Sequence, residues 1–189
     1  SMHSLFGPAL PSQYIAALPV DDGSAVDLDR MLDTHRDIAA VIVEPLLQGA
    51  AGMRMHDVET LRRIRAACDR HGVPLIFDEI FTGFGRLGGM FAATVSGVTP
   101  DIMTLGKALT GGVTPLAATI ASRRIYEAFH SDDATKALMH GPTYMGHALG
   151  CAAANASLDL FEQEPRLEQV ARIEQDLKSA LEPLRDAPQ

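Results

Sequence analysis

Apolar and polar residues alternate along this chain in blocks whose periods predict an α/β fold. Residues 1–27 are rich in Pro, Gly, Ser and Asp and read as an irregular connection. A short helix is expected over Leu28–Arg36. Ile38–Val43 is an apolar, β-branched run ending at Glu44-Pro45 and predicts a buried strand. Asp57 is placed to cap a helix in which Val58, Leu61, Ile64 and Cys68 recur at helical spacing, with His71-Gly72 closing it. Strands follow at Leu75–Phe77, Ile102–Leu105 and Leu116–Ile120, and a helix at Arg123–Phe129. Gly146–Phe161 reads as an Ala-rich helix. After Pro165, residues Leu167, Val170, Ile173, Leu177, Leu181 and Leu184 mark one face of a long surface helix. Strands alternating with helices imply a mostly parallel sheet with both faces covered. In such sheets ligands gather at the carboxyl ends of the strands, which is where Glu44, Asp78 and Lys107 fall.

Composition narrows the chemistry. The 189 residues suffice for one globular domain with a sizeable core. The formal net charge of −8 and the lack of a basic stripe argue against a nucleic-acid partner held by phosphate contacts. No apolar run is long enough to span a membrane, and no secretory signal is apparent. Two cysteines, Cys68 and Cys151, have no metal-type spacing, so a reduced, cytoplasmic protein is the default expectation. The seven histidines form no metal-ligand cluster in sequence, and His56, His71 and His130 read as surface or helix-end residues.

Lysine is scarce: Lys107, Lys136 and Lys178 stand against thirteen arginines. Lys136 and Lys178 lie among polar residues and read as solvated. Lys107 instead follows a buried strand and precedes Gly111-Gly112. An amine attacks a carbonyl only when deprotonated, and an ordinary lysine titrates near about 10.4, so partial burial or nearby positive charge is needed to activate it. A lysine snorkelling from a strand end fits the local pattern equally well. Asp78-Glu79 ends the Leu75–Phe77 run, and a carboxylate there needs a partner: a cofactor ring nitrogen, a helix terminus, or an arginine such as Arg86. Thr82–Gly89 looks like a phosphate loop but lacks the Gly-Lys-Ser/Thr of a Walker motif and the strand–glycine–helix context of a dinucleotide site. A flexible connection beside the site fits it better. Thr143, in His140–Gly146 ahead of the Ala-rich helix, is either an anion contact at a helix start or a simple cap.

The ordered set Val43-Glu44-Pro45, Gln48-Gly49, Asp78-Glu79-Ile80, Thr82–Arg86, Pro100-Asp101-Ile102, Leu105–Leu109 and Gly111-Gly112 resembles the class III, fold-type I aminotransferases that use pyridoxal 5'-phosphate (PLP). The resemblance covers roughly Met2–Phe161. It implies a partial large PLP-binding domain over residues 1–160, and a helix at 161–189 leading into a C-terminal small domain. It implies that Lys107 links covalently to PLP and shuttles the substrate proton. Asp78 would pair with the pyridine nitrogen and Ile80 would pack on the ring. Gly141, Pro142 and Thr143 would reach the phosphate of the neighbouring subunit in a homodimer of the full-length parent, and Glu44 would organise the site from behind. Gln48–Met55, Lys107–Gly112 and His140–Gly146 running into Cys151–Ser157 are most similar to the biotin-synthesis branch. That likeness implies S-adenosylmethionine as amino donor and 8-amino-7-oxononanoate as acceptor. An ornithine- or 4-aminobutyrate-type enzyme and a non-catalytic remnant domain are the competing readings. Met2–Leu5 resembles an internal stretch of that branch, so the chain reads as an internal piece. The family's Gly-Ser phosphate turn, ring-stacking aromatic and carboxylate-binding arginine cannot be placed in it. Little or no turnover is therefore expected of the isolated chain. Phe81 is the clearest departure from the pattern, where a Gln or a small residue is usual; Leu87 and Val113–Pro115 also depart.

Overall fold

A computed structural model describes residues 13–185. The resemblance seen at Met2–Leu5 lies outside the described residues. The first helix, α1 (Asp22–Thr34), begins well before the Leu28 start expected from its apolar positions. Its start is a capping box: the Ser24 N–H donates to Asp21 Oδ1 at 2.7 Å, and the Asp21 N–H donates to Ser24 Oγ at 3.1 Å. A stretch that reads as loop by composition thus supplies the cap and first turn of a helix, and the irregular segment predicted to residue 27 is shorter than expected.

β1 (Val41–Val43) follows, shorter than the predicted Ile38–Val43. A small antiparallel pair, β2 (Leu47–Gln48) and β3 (Arg54–Met55), then leads to α2 (Val58–His71). The α2 boundaries are those the caps dictate. Asp57 accepts from the Thr60 N–H at 2.8 Å, and Gly72 ends the helix at φ 67°, a conformation that costs a residue without Cβ nothing. β4 (Leu75–Asp78), the short α3 (Ala92–Ser96), β5 (Ile102–Leu105) and a 3₁₀ turn (Lys107–Thr110) come next. β6 (Ala118–Ala121), α4 (Arg123–Glu127), α5 (Ala148–Gln163) and α6 (Arg166–Leu181) complete the described elements.

The other four strands form one sheet in the order β1-β4-β5-β6. β1, β4 and β5 are parallel, and β6 is antiparallel to β5. The register puts Val43, Phe77 and Met103 on one face and Ile42, Ile76 and Ile102 on the other. Among the described residues, both core clusters lie on the first face. There Leu61, Ile64 and Cys68 of α2 meet Val43, Leu75 and Phe77, with Leu28 and Leu32 of α1 in the same core. Ala154 of α5 meets Leu105 and Leu109, with Phe84, Met103, Leu116 and Phe161 around it. Gly150 permits this approach, because a Cβ there would lie 3.3 Å from Leu116 Cδ1.

Among the described residues the second face has no part in either core cluster, against the expectation of helices on both sides; Ile76 and Ile102 at its centre are half-buried and its edge is open. Ile42 is 64% exposed on it. The periodicity of each helix reports that it has a buried face, not which side of the sheet it covers. α5 runs on to Gln163, and the break before α6 falls at Glu164-Pro165. Of the apolar stripe on α6, Leu167 and Val170 pack beside Gly85, while Ile173, Leu177 and Leu181 are exposed.

One polar clamp fixes the start of β5. Asp101 accepts from the Leu75 N–H at 2.9 Å, from Arg65 at 2.9 Å and from Arg124 at 2.7 Å. Burial opposes its ionisation, but the bonds from Arg124, Leu75 and Arg65 outweigh that and hold the carboxyl at about 2. Cys68, fully buried under the sheet, has its thiol pushed up to about 11 by desolvation and is a packing residue.

Candidate active site

The sheet order β1-β4-β5 sets the ends of three parallel strands side by side, about 4.8 Å apart in the hydrogen-bonding direction. Glu44 follows β1, Asp78 ends β4, and Lys107 lies two residues beyond β5. The three strand-end residues singled out in the sequence are therefore brought to one edge of one sheet.

Asp78 is half-buried on the open face, paired in register with Thr104. Its Oδ1 accepts from the Ile80 N–H at 3.1 Å and from the Thr104 hydroxyl at 3.3 Å. Its Oδ2 has no hydrogen-bond or ion-pair partner among the described residues, and Arg86 is not its partner. The carboxylate is thus anchored on one side and open on the other. Ile80 packs over Gly106, where an added Cβ would sit 3.4 Å from Ile80 Cγ2, so the Asp78–Ile80 and Gly106-Lys107 segments touch.

Lys107 opens the 3₁₀ turn at φ 44°, a left-handed conformation rare outside glycine. Side chains held this way persist where the surroundings enforce them, and such strain clusters at functional sites. Its Nζ lies 5.1 Å from the centroid of the Phe81 ring, and Arg86 Cζ lies 5.5 Å from the same centroid. An open cavity beside Lys107 is lined by Thr110, Gly112, Thr114, Pro115 and Leu116. A wider groove between α6 and the Phe84–Gly88 loop does not include Lys107, and Asp78 lines neither of the two.

Phe81 finds its room at Gly49: a Cβ at position 49 would lie 2.9 Å from Phe81 Cδ1. Gly49 is held in turn by Glu44, whose Oε1 accepts the Gly49 N–H at 3.3 Å. Glu44 therefore bears on Lys107 through Gly49 and Phe81. Sequence reading flagged each of these residues without seeing that they touch, because the contact joins loops after different strands. It also missed Thr104, whose only signal is its place opposite Asp78 in the register.

Gly141, Pro142 and Thr143 are exposed and make no hydrogen bond to the Asp78–Lys107 group among the described residues. They lie in a turn closed by the Met145 N–H donating to the Pro142 carbonyl at 2.9 Å. Thr143 does not cap the following helix: α5 starts at Ala148, and His147 caps it by accepting the Gly150 N–H at Nδ1, 3.2 Å. Of the three histidines read as surface or helix-end residues, His130 is exposed just past α4, and His71, the last residue of α2, lies 3.0 Å from Asp29. His56 is half-buried, with Nε2 3.1 Å from the Glu44 carbonyl. Among the described residues no three or more His, Cys, Asp or Glu side chains are grouped to hold a metal ion, and no helix is long and apolar enough to cross a membrane.

Fold and site together describe a mostly parallel sheet with a lysine and a carboxylate at adjoining strand ends. The chain belongs to the class-III aminotransferase family, which it matches over residues 1–189. Among curated relatives it is 46% identical to adenosylmethionine-8-amino-7-oxononanoate aminotransferase of Mycobacterium leprae, over 99% of this chain and 44% of the relative. It is 41% identical to the enzyme of the same name from Corynebacterium glutamicum, over 99% of this chain and 46% of the relative. The chain thus spans somewhat under half the length of these relatives. Among solved structures, adenosylmethionine-8-amino-7-oxononanoate aminotransferase from Methanocaldococcus jannaschii superposes with a TM-score of 0.88 at 34% identity, covering 98% of this chain and 44% of that one. An amine transaminase from an uncultivated Pseudomonas species, solved in its PLP-bound form, matches at 40% identity and a TM-score of 0.74, over 86% of this chain and 38% of that one. The fold is that of the PLP-dependent transferases of fold type I, present as part of a large domain.

Proposed function

We propose that this chain is the lysine-bearing portion of a PLP-dependent aminotransferase that moves the amino group of S-adenosylmethionine onto 8-amino-7-oxononanoate. The observation that carries this reading is the placement of Asp78 and Lys107 at the ends of adjacent parallel strands, with one carboxylate oxygen of Asp78 without a partner among the described residues. The identity of 39–46% to several relatives bearing that enzyme's name supports the substrates.

The residues fit the cofactor. A carboxylate anchored at Oδ1 and open at Oδ2 suits a protonated ring nitrogen, while Ile80 and Phe81 supply apolar surface beside it. When bound, PLP supplies an electron-withdrawing ring that stabilises negative charge at the substrate carbon. Asp78 Oδ2 would hold the proton on the ring nitrogen. Ile80 would pack on the ring. Lys107 Nζ would form the covalent link and then carry a proton away from the substrate carbon and back, serving as base and acid in turn. Glu44 would keep Gly49, and with it Phe81, in place behind the lysine. Gly141, Pro142 and Thr143, exposed and apart from this group, would serve the phosphate of a neighbouring subunit in a cytoplasmic homodimer. Residues 1–160 would form part of the large domain, and 161–189 would lead to the small one.

A second reading within the same family has a specific basis. An omega transaminase from Pseudomonas jessenii, solved with PMP, superposes at 36% identity and a TM-score of 0.80 over 88% of this chain and 37% of that one. Borohydride trapping of PLP on the chain, followed by peptide mapping, tests the site: label confined to Lys107 is expected, and label spread over Lys136 and Lys178 would refute it. Amino-donor turnover by the full-length protein separates the two readings, with S-adenosylmethionine expected to be preferred over simple amines.

A further inference from the structure

Glu79 is the one carboxylate of the site region that the proposed chemistry does not use, and its side chain is fully buried. It makes no ion pair among the described residues. Three donors satisfy it. Oε2 accepts from the Thr82 hydroxyl at 3.0 Å and from the Ala92 N–H at 2.8 Å, and Oε1 accepts from the Ala93 N–H at 2.8 Å. The backbone of the same residue is pinned as well. The Glu79 N–H donates to the Thr104 carbonyl at 3.0 Å, and the Glu79 carbonyl accepts from the Gly83 N–H at 3.0 Å. One residue therefore ties four pieces together: the end of β4, its neighbour β5, the turn carrying Phe81, and the first residues of α3.

We propose that Glu79 is a positioning residue of the active site, whose buried carboxylate locks the Ile80–Phe91 loop onto α3 and so fixes Asp78 and Phe81 at the strand end. This rests on the reading of Asp78 given above. The chemistry of the donor set makes a carboxylate necessary. Both oxygens face backbone N–H groups, so a glutamine in either amide orientation turns its NH₂ toward an N–H that needs an acceptor. Glutamine is nearly the same shape, yet it cannot satisfy the site. Asp78 follows because it is the preceding residue, and its own anchor, the Ile80 N–H, is the following one.

The test is amide hydrogen exchange by NMR on the ¹⁵N-labelled chain and its Glu79→Gln variant. Exchange at Ala92 and Ala93 is expected to rise about tenfold or more, as a lost charge-assisted hydrogen bond implies. The amide of Ile80, which reports the hold on Asp78, is expected to rise with them, while amides of Leu61 and Ile64 in α2 stay as they were. A rise at Ala92 and Ala93 with Ile80 unchanged would overturn the positioning role. A uniform rise through α2 would overturn it too, since that is what a merely structural residue gives. Should the glutamine variant not fold, Thr82→Val removes a single donor and is read the same way, with a smaller rise at Ala92 and Ile80 expected and no change refuting the proposal. PLP trapping on Lys107 of the unaltered chain is scored separately. Its failure alongside the expected exchange pattern removes the cofactor from the functional reading and leaves the hold of Glu79 on Asp78 standing.

Discussion

Replacing Gly49 with alanine should move the ring that backs Lys107. The added Cβ would lie 2.9, 3.2 and 3.4 Å from Cδ1, Cε1 and Cγ of Phe81. Carbon atoms in good contact sit about 3.5–4.0 Å apart, so the ring must yield by more than half an ångström at its nearest atom. It cannot do so by flexing, since it is a rigid plate with Gly49 on one side and the Lys107 and Arg86 cations nearby. Overpacking of this kind costs about 1–3 kcal/mol. The backbone at Gly49 is not among those with positive φ, so alanine is otherwise acceptable there and gains about 0.4–1 kcal/mol by restricting the unfolded chain. Removing the ring by Phe81→Ala abolishes the clash but not the gain. Gly49→Ala should therefore be destabilising beside Phe81 and neutral or stabilising beside alanine, a coupling of about 1–3 kcal/mol. Urea unfolding of the four proteins, read by linear extrapolation, measures it. The costs of Phe81→Ala itself cancel in the cycle. A coupling below about 0.5 kcal/mol would mean that Gly49 does not hold Phe81, and the path from Glu44 to Lys107 would be wrong.

Three other results are expected. The carboxyl of Asp101 titrates below its unfolded value, near about 2 rather than 3.8, so the stability it lends is complete above about pH 5 and is lost as pH falls through 4 toward 2; Asp101→Asn should remove about 1–2 kcal/mol at pH 7, after allowance for solvent screening, and flatten the urea midpoint across that acid range. At Lys107, with φ 44°, Lys107→Gly should be about 1 kcal/mol more stable than Lys107→Ala, the reverse of the usual order, and denaturant midpoints that favour alanine would remove the strain from the site. The open face of the sheet, with Ile42 64% exposed, should make the chain associate as its concentration rises; Ile42→Lys should suppress this in sedimentation velocity without lowering the urea midpoint, and a concentration-independent monomer before substitution would count against the face as the cause.

What the sequence made legible, and what it did not, follows from the range of each interaction. α2 was readable to the residue because both of its caps are local: Asp57 bonds three residues on, and Gly72 is the left-handed stop. The start of α1 was missed although it too is local, because its capping box closes with Ser24 where a Glu or Gln is the usual signal. β4 and β5 were legible as buried runs, but the direction of β6 was not. In retrospect the link from Gly106 to Ala117 holds only a 3₁₀ turn and no crossover helix, and a parallel return needs a longer connection. Glu44, Asp78 and Lys107 were legible as strand-end residues. The contact of Phe81 with Gly49 and the burial of Glu79 were not, since both depend on where loops from different strands meet.

The proposed site has two unequal parts, and the difference is physical. Asp78, Ile80, Phe81 and Lys107 sit on strand ends and tight turns, and the first three are each braced by a neighbour: Thr104 for Asp78, Gly106 for Ile80 and Gly49 for Phe81, with the start of α3 holding their loop through Glu79. Residues 128–146, which carry Gly141, Pro142 and Thr143, are exposed throughout. A site that must hold reacting atoms to within about half an ångström is built from the first kind of element, whereas a contact to a flexible phosphate can be brought by the second. On the proposed reading the braced strand ends would carry the geometry of the covalent link and the ring, and Gly141, Pro142 and Thr143 of a neighbouring subunit would supply affinity for the phosphate. The isolated chain should then place PLP on Lys107 selectively yet hold it weakly, because selectivity is set by the braced strand ends and affinity by contacts that the strand ends do not make.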